Sequence, residues 1–243
     1  MLNIRNLEKF TNQTQTSIQN VVREYCQHLF LSFLYQQAGS EKLLFKGGTA
    51  LRIIFHSPRF SEDLDFTGAN ITQEGVEEIF IATLSNIEHT GIRVELIEGK
   101  PTTGGYIGIA TFFAYEKAIP IQIEVSLRKS KSAPGTRTLI ENDYVPAYTL
   151  VHLSQEEIIQ GKMEALINRQ KPRDFYDYFF LLCGNYPLVK EKENLISVLT
   201  LLRKTKINFR GELREFLPAS HAMHLKDFSS ILEQKIVSFL GAK

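Results

Sequence analysis

The segment that most constrains this chain runs from Lys42 to Phe66. There two short apolar runs, Lys42–Lys46 and Leu64–Phe66, flank Gly47-Gly48 and a helix-prone Thr49–Phe55. Glycine pairs interrupt regular structure and short apolar runs bounded by turn residues read as strands, so the segment reads as strand, glycine turn, helix, Pro58-containing loop and strand. Bare backbone N–H groups at such a turn, opening a helix, are suited to cradle phosphates. Gly47, Gly48 and Thr49 could form that cradle, with the Thr49 hydroxyl as a further donor; a glycine pair also serves as a plain turn.

Asp63 and Asp65 sit two apart in Ser61-Glu62-Asp63-Leu64-Asp65-Phe66. On a strand that spacing aims both carboxylates to one side and sends Leu64 and Phe66 to the core, because successive side chains alternate. Two close carboxylates repel unless a cation neutralises them, and Mg²⁺ takes such hard oxygen donors together with water and phosphate oxygens. Solvated acids at a strand end would give the same pattern. Fourteen residues lie between Gly48 and Asp63, enough for a short helix and a return loop, so cradle and carboxylates could edge one cleft. Downstream, Ile119–Leu127 alternates strictly, with Ile121, Ile123 and Val125 on one face and Gln122, Glu124 and Ser126 on the other. Glu124 is thus a candidate third acid, or an ordinary solvent-facing strand residue.

The remaining pattern divides the chain. Ser17–Gln37 carries apolar residues at helical spacing and is stopped by Gly39, and Gln73–Glu88 reads as a second helix closed by Gly91. Ile92–Ile97 and Tyr106–Ala114 join Ile119–Leu127 as strand candidates, and Lys129–Tyr148 reads as a loop. Beyond it Ser154 and Glu157 form a capping box for a helix to about Arg169, Pro172 starts a separate helix to Cys183, and Glu191–Lys204 and Phe228–Leu240 are two more. The expectation is an α/β (α+β) protein: residues 1–150 form a mixed-sheet core with its N-terminal helix, and residues 151–243 a helical domain.

Composition narrows the function classes. The 28 Lys and Arg against 27 Asp and Glu leave a formal charge of +1, so binding to nucleic acid or membrane needs a local patch. Two basic clusters stand out: Arg128, Lys129, Lys131 and Arg137, then Arg203, Lys204, Lys206, Arg210 and Arg214. Either could track an RNA backbone, or be solvated surface. The longest apolar stretches, Leu29–Tyr35 and Phe175–Cys183, fall short of the ~20 residues a membrane span needs, and Met1–Phe10 lacks the pattern of a secretory signal. Cys26 and Cys183 lack metal or redox spacing and read as reduced core residues. The expected setting is cytoplasmic, with no membrane partner.

Lys46-Gly47-Gly48-Thr49-Ala50-Leu51-Arg52, followed by Arg59-Phe60-Ser61-Glu62-Asp63-Leu64-Asp65-Phe66, resembles the signature of the AbiEii/AbiGii toxin family. That family is a branch of the polymerase-β-like nucleotidyltransferase superfamily that includes the MenT toxins. Lys162-Met163-Glu164-Ala165 through Arg169, then Lys171-Pro172-Arg173-Asp174-Phe175-Tyr176-Asp177, resembles its second block. The resemblance implies a nucleotidyltransferase core with a mixed sheet, joined to a helical domain that closes the nucleotide cleft. It implies Mg²⁺-dependent transfer of a nucleotide from an NTP to an acceptor, in several toxins the 3′ end of tRNA, under control of a cognate antitoxin protein. A small-molecule or protein acceptor, or a silent nucleotide- or partner-binding module, is the alternative. Residue by residue, Gly48 and Thr49 match the phosphate-binding turn, Asp63 and Asp65 the metal-binding pair, Ser61 the serine before it, Lys162 the second-block lysine and Asp174 its acid. Glu124 is placed as the third metal ligand by lying on a plausible strand. Phosphoryl transfer calls for positioning and charge neutralisation more than covalent help. In that role Lys162, with Arg59 or Arg173, would offset triphosphate charge. Asp174 could equally cap the Pro172 helix, where a carboxylate is favourable.

Overall fold

The computed structural model describes residues 2–127, 135–184 and 186–241. Two compact units make up the chain: Met1–His56 with Phe60–Ser154, and Ser57–Arg59 with Gln155–Lys243.

The first unit opens with α1 (Ile4–Thr14) and α2 (Ile18–Leu34). Side chains start both helices: Asn3 Oδ1 accepts from the Asn6 N–H at 2.8 Å, and Ser17 Oγ from the Asn20 N–H at 3.3 Å. Such caps satisfy amides that the first turn of a helix leaves without intrahelical partners. β1 (Leu43–Lys46), α3 (Gly47–Ile53), β2 (Leu64–Gly68) and α4 (Gln73–Glu88) follow. Then come β3 (Arg93–Thr102), β4 (Gly105–Ala114), β5 (Lys117–Ser126), β6 (Thr136–Ile140) and β7 (Tyr148–His152). The described strands form one mixed sheet in the order β3-β4-β5-β2-β1-β7-β6. β2 runs parallel to β5 and β1 parallel to β7, and the other neighbours are antiparallel.

β5 shows why the sheet has two unlike faces. Ile119, Ile121, Ile123 and Val125 are buried while Pro120, Gln122 and Glu124 are exposed, the alternation that a pleated strand imposes. α2 packs against α4, β5 and β7 and is buried along almost its whole length, including the polar Arg23, Glu24, Gln27 and His28. Phe30 of α2 meets Phe80 of α4 edge-on at 5.8 Å.

Several elements differ from the sequence reading, and α3 takes the glycine pair into its first turn and ends at Ile53. β6 lies where a loop is expected, and β7 runs from the last residue of that loop through a stretch assigned no element. β6 is an edge strand paired on one side only, so Thr136, Arg137 and Leu139 remain exposed and no buried alternation marks it. α1 escapes because it buries only Leu7 and Phe10 in a polar stretch.

The second unit is helical: α5 (Gln155–Arg169), α6 (Pro172–Cys183), α7 (Lys192–Lys204), α8 (Phe209–Leu213), α9 (Ala219–Ala222) and α10 (Phe228–Gly241). Leu166, Phe175, Leu182, Val198, Leu213 and Ile236 are completely buried there. Phe209 packs edge-on against both Phe228 at 4.8 Å and Phe175 at 6.0 Å. Pro172 opens α6 in its first turn, where its missing N–H costs no hydrogen bond. Cys26 is buried as expected, but Cys183 is exposed: as the last residue of α6 it has no following turn to cover it. Among the described residues no helix is long and apolar enough to cross a membrane.

Candidate active site

The carboxylates are arranged by strand register. Asp65 on β2 is the Cα partner of Glu124 on parallel β5 and of Lys46 on antiparallel β1. Register partners on adjacent strands share a face, about 4.8 Å apart. Leu64, Phe66, Ile123 and Val125 fill the opposite face and are buried, so Asp65 and Glu124 stand side by side on the open face. Asp63 lies one residue before β2 and is half-buried. Among the described residues no group of three or more His, Cys, Asp or Glu is gathered as a ready metal cluster, so the expected trio of Asp63, Asp65 and Glu124 is not preassembled as one set.

Next to Asp65 lies the glycine turn. Gly47 has φ of +89°, and a Cβ built there would come within 2.8 Å of the Asp65 Cβ and Cγ and closer still to Oδ2. Only glycine satisfies both the left-handed backbone and this approach. Gly48 is buried beside it. Thr49 departs from the sequence reading: it is completely buried and its hydroxyl donates to the Asp63 carbonyl at 2.5 Å. That hydroxyl faces the segment ahead of β2, where it holds the backbone of the acid pair, instead of being presented to a phosphate.

Helix α2 grips the same segment. Gln27 Nε2 donates to the carbonyls of Ser61 and Glu62, each at 3.0 Å, and Arg23 pairs with the Glu62 carboxylate at 3.2 Å. Arg52 of α3 donates to Glu24 from Nε at 2.6 Å and from its other arm at 3.3 Å, with its guanidinium 3.9 Å from the Phe60 ring centre. The Tyr144 hydroxyl donates to the same Glu24 at 2.8 Å. His28 Nδ1 meets the Tyr148 hydroxyl at 2.9 Å, and burial first, with Arg52 assisting against the pull of Glu24, lowers its pKa to about 4. The sequence reading misses Gln27 because Arg23, Glu24, Gln27 and His28 form a polar stripe at helical spacing, the usual mark of a solvent face.

In the helical unit the second-block residues form their own network. Asp177 is 1% exposed; it accepts from Arg59 at 2.7 and 2.9 Å, one bond to each carboxylate oxygen, and from Lys162 Nζ at 2.8 Å. Burial opposes ionisation of Asp177, but Arg59 and then Lys162 outweigh it and hold the carboxyl down at about 2. Burial likewise opposes the Arg59 charge, and Asp177 more than restores it, raising the Arg59 pKa. Arg59 and Lys162, the cations expected on a triphosphate, are therefore engaged by a buried acid in this structure. Asp174 is buried; it accepts from the Lys171 N–H at 3.1 Å, closing the first turn of α6, and from Arg169 at 2.5 Å. Its capping role is realised. Arg173 is half-exposed and reaches Glu212 at 3.7 Å. Of the basic clusters, Arg128, Lys129 and Lys131 lie outside the described residues, Arg137 is exposed on β6, and Arg203 pairs with Glu233 at 2.6 Å.

Comparison with known proteins decides the family. The family described as Nucleotidyl transferase AbiEii toxin, Type IV TA system, matches residues 29–236. The chain belongs to the AbiEii family. This AbiEii protein is a nucleotidyltransferase of the toxin–antitoxin kind, and both blocks of its signature lie inside the match. No curated protein matches its sequence. Its fold is similar to that of a Helicobacter pylori protein assigned as a nucleotidyltransferase, with a TM-score of 0.55 and 17% identity over 91% of this chain and 98% of that one. JHP933 from Helicobacter pylori is similar too, with a TM-score of 0.55 and 18% identity over 92% and 95% of the two chains.

Proposed function

We propose that this AbiEii protein moves a nucleotide from an NTP to an RNA acceptor, the 3′ end of tRNA, in an Mg²⁺-dependent reaction in the cytoplasm, and that a cognate antitoxin protein restrains it. The observation that carries the reading is the register pairing of Asp65 with Glu124 on the open face, with Gly47 packed against the Asp65 carboxylate.

The donor set fits the ion. Mg²⁺ is usually bound by one or two carboxylates, with water and substrate phosphates completing its shell. Asp65 and Glu124 meet that description, and Asp63 adds a third acid near by. When bound, Mg²⁺ neutralises phosphate charge and makes the acceptor hydroxyl easier to ionise. The chain's own residues do the rest. Gly47 and Gly48 offer backbone unobstructed by side chains for the NTP phosphates, Thr49 holds the Asp63 backbone, and β2 fixes the direction of Asp65. Arg173 supplies charge for the triphosphate, and the exposed basic side chains Lys204, Lys206, Arg210 and Arg214 supply charge for an RNA backbone.

The test incubates the purified protein with total RNA and each α-labelled NTP in turn, with and without Mg²⁺, beside Asp65→Asn. Label entering a discrete tRNA-sized band, dependent on Mg²⁺ and absent from the variant, is the expected result. RNA binding should weaken steeply with added salt, because phosphate contacts release counterions. Label entering only a small molecule or protein would overturn the RNA acceptor; undiminished transfer by Asp65→Asn would overturn the metal-ligand assignment.

A further inference from the structure

Three successive carbonyls lead into the acid pair, and all three are captured by buried side chains. Gln27, 2% exposed on α2, spends its amide group on Ser61 and Glu62, and Thr49, completely buried on α3, takes Asp63. Residues 60–63 belong to no strand or helix, so their backbone polar groups depend on such donors where a sheet would otherwise supply them. Arg23, beside Gln27 on α2, adds a grip on the Glu62 side chain. A peptide plane whose carbonyl is pinned cannot rotate, and pinning three in a row fixes the dihedral angles from which the Asp63 side chain departs and β2 begins. Catalytic carboxylates placed about 1 Å wrong lose much of their effect, so the groups that lock them matter as much as the carboxylates themselves.

We propose that Gln27 is a positioning residue for nucleotide transfer, orienting the Asp63 and Asp65 carboxylates by clamping the Ser61 and Glu62 carbonyls from helix α2; this rests on the functional reading above. The amide suits the task because its two N–H groups diverge from one nitrogen and can serve two carbonyls at once. A side chain of the same length without donors fills the space but leaves both carbonyls unsatisfied.

The deciding experiment compares Gln27→Met with Phe80→Leu, a core change on α4 that meets α2 through Phe30 and takes no part in these hydrogen bonds. Wild type and both variants are assayed for transfer, for melting temperature, and for amide hydrogen exchange across residues 61–66. The expected result is a kcat 10- to 100-fold lower in Gln27→Met with KM for the NTP within threefold of wild type, and at least tenfold faster exchange across 61–66. Phe80→Leu should lower the melting temperature and leave kcat within twofold. A wild-type kcat in Gln27→Met, or an equal kcat loss in Phe80→Leu, overturns the positioning role while transfer itself stands. Wild-type protein that transfers no nucleotide to any acceptor overturns the functional reading, and the inference with it.

Discussion

Asp177 gives the sharpest test of what the second-block residues do. It lies 1% exposed between two cations whose side chains are 6% and 11% exposed. Replacing it with alanine strands Arg59 and Lys162 in a site that water hardly reaches, and breaking a buried pair from one side costs about 3–5 kcal/mol. Lys162→Met is a different perturbation. It removes one cation, fills the same volume with apolar atoms, and leaves Arg59 and Asp177 paired, so it should cost less than about 1.5 kcal/mol. pH adds an independent handle. Asp177 has its ordinary value at 3.8 and is held at about 2 in the folded chain. A lowered acid contributes stability that is present above pH 3.8 and disappears as pH falls through 2, and this shift corresponds to about 2 kcal/mol. The linkage figure is smaller than the alanine figure because protonation leaves a neutral acid that still hydrogen-bonds, whereas alanine leaves nothing. The assay is urea unfolding of the three proteins at pH 7, then of wild type and Asp177→Ala from pH 5 to pH 2. Wild type should lose the extra stability over the acid limb and Asp177→Ala should lack that component. Equal costs for Asp177→Ala and Lys162→Met, or a cost below 1 kcal/mol for the alanine variant, would refute the reasoning and return Lys162 to the triphosphate.

Three further outcomes are expected. Gly47→Ala should cost about 1–2 kcal/mol from the left-handed backbone; because the added Cβ displaces Asp65, transfer should fall at least tenfold with far-ultraviolet circular dichroism unchanged. Thr49→Val keeps the shape but removes the completely buried hydroxyl that donates to the Asp63 carbonyl, so urea unfolding should show a loss of about 1–3 kcal/mol. His28 is neutral in the folded chain with a pKa of about 4 against an ordinary 6.5, so the unfolded chain binds the proton first as pH falls. The stability it contributes is complete above pH 6.5 and drains away between 6.5 and 4, by about 3 kcal/mol. His28→Gln should flatten that slope in unfolding measured at pH 7, 6, 5 and 4, and an unchanged slope would assign it to other groups.

Local pattern carried most of the fold. The order strand, helix and strand of residues 43–68 is legible because each rests on neighbouring residues, Leu64 and Phe66 for the buried face and Gly47-Gly48 for the break after β1, although both glycines belong to the first turn of α3. α4 is recovered from Gln73 to Glu88 without shift, its apolar period being bounded by the Thr72 cap. β6 and β7 are illegible for the converse reason. A short edge strand is defined by its neighbour, and nothing in Thr136–Ile140 alone announces pairing with Tyr148–His152.

The candidate site divides along the same line. Asp63, Asp65 and Glu124 show in the sequence as carboxylates on alternating strands, but the register that pairs Asp65 with Glu124 spans 59 residues and belongs to the sheet. The supporting groups are harder still. Arg23, Glu24, Gln27 and His28 look like the wet face of an amphipathic helix, and only the structure shows that face turned onto Ser61, Glu62, Arg52, Tyr144 and Tyr148. A helix buried on all sides is ordinarily apolar all round, and polar residues tolerate such a place only when each finds a partner. α2 therefore keeps a costly polar stripe where leucines would pack with less penalty. Gln27 and Arg23 direct that stripe at the segment ahead of Asp63, so the polar cost is concentrated where backbone orientation controls the carboxylates.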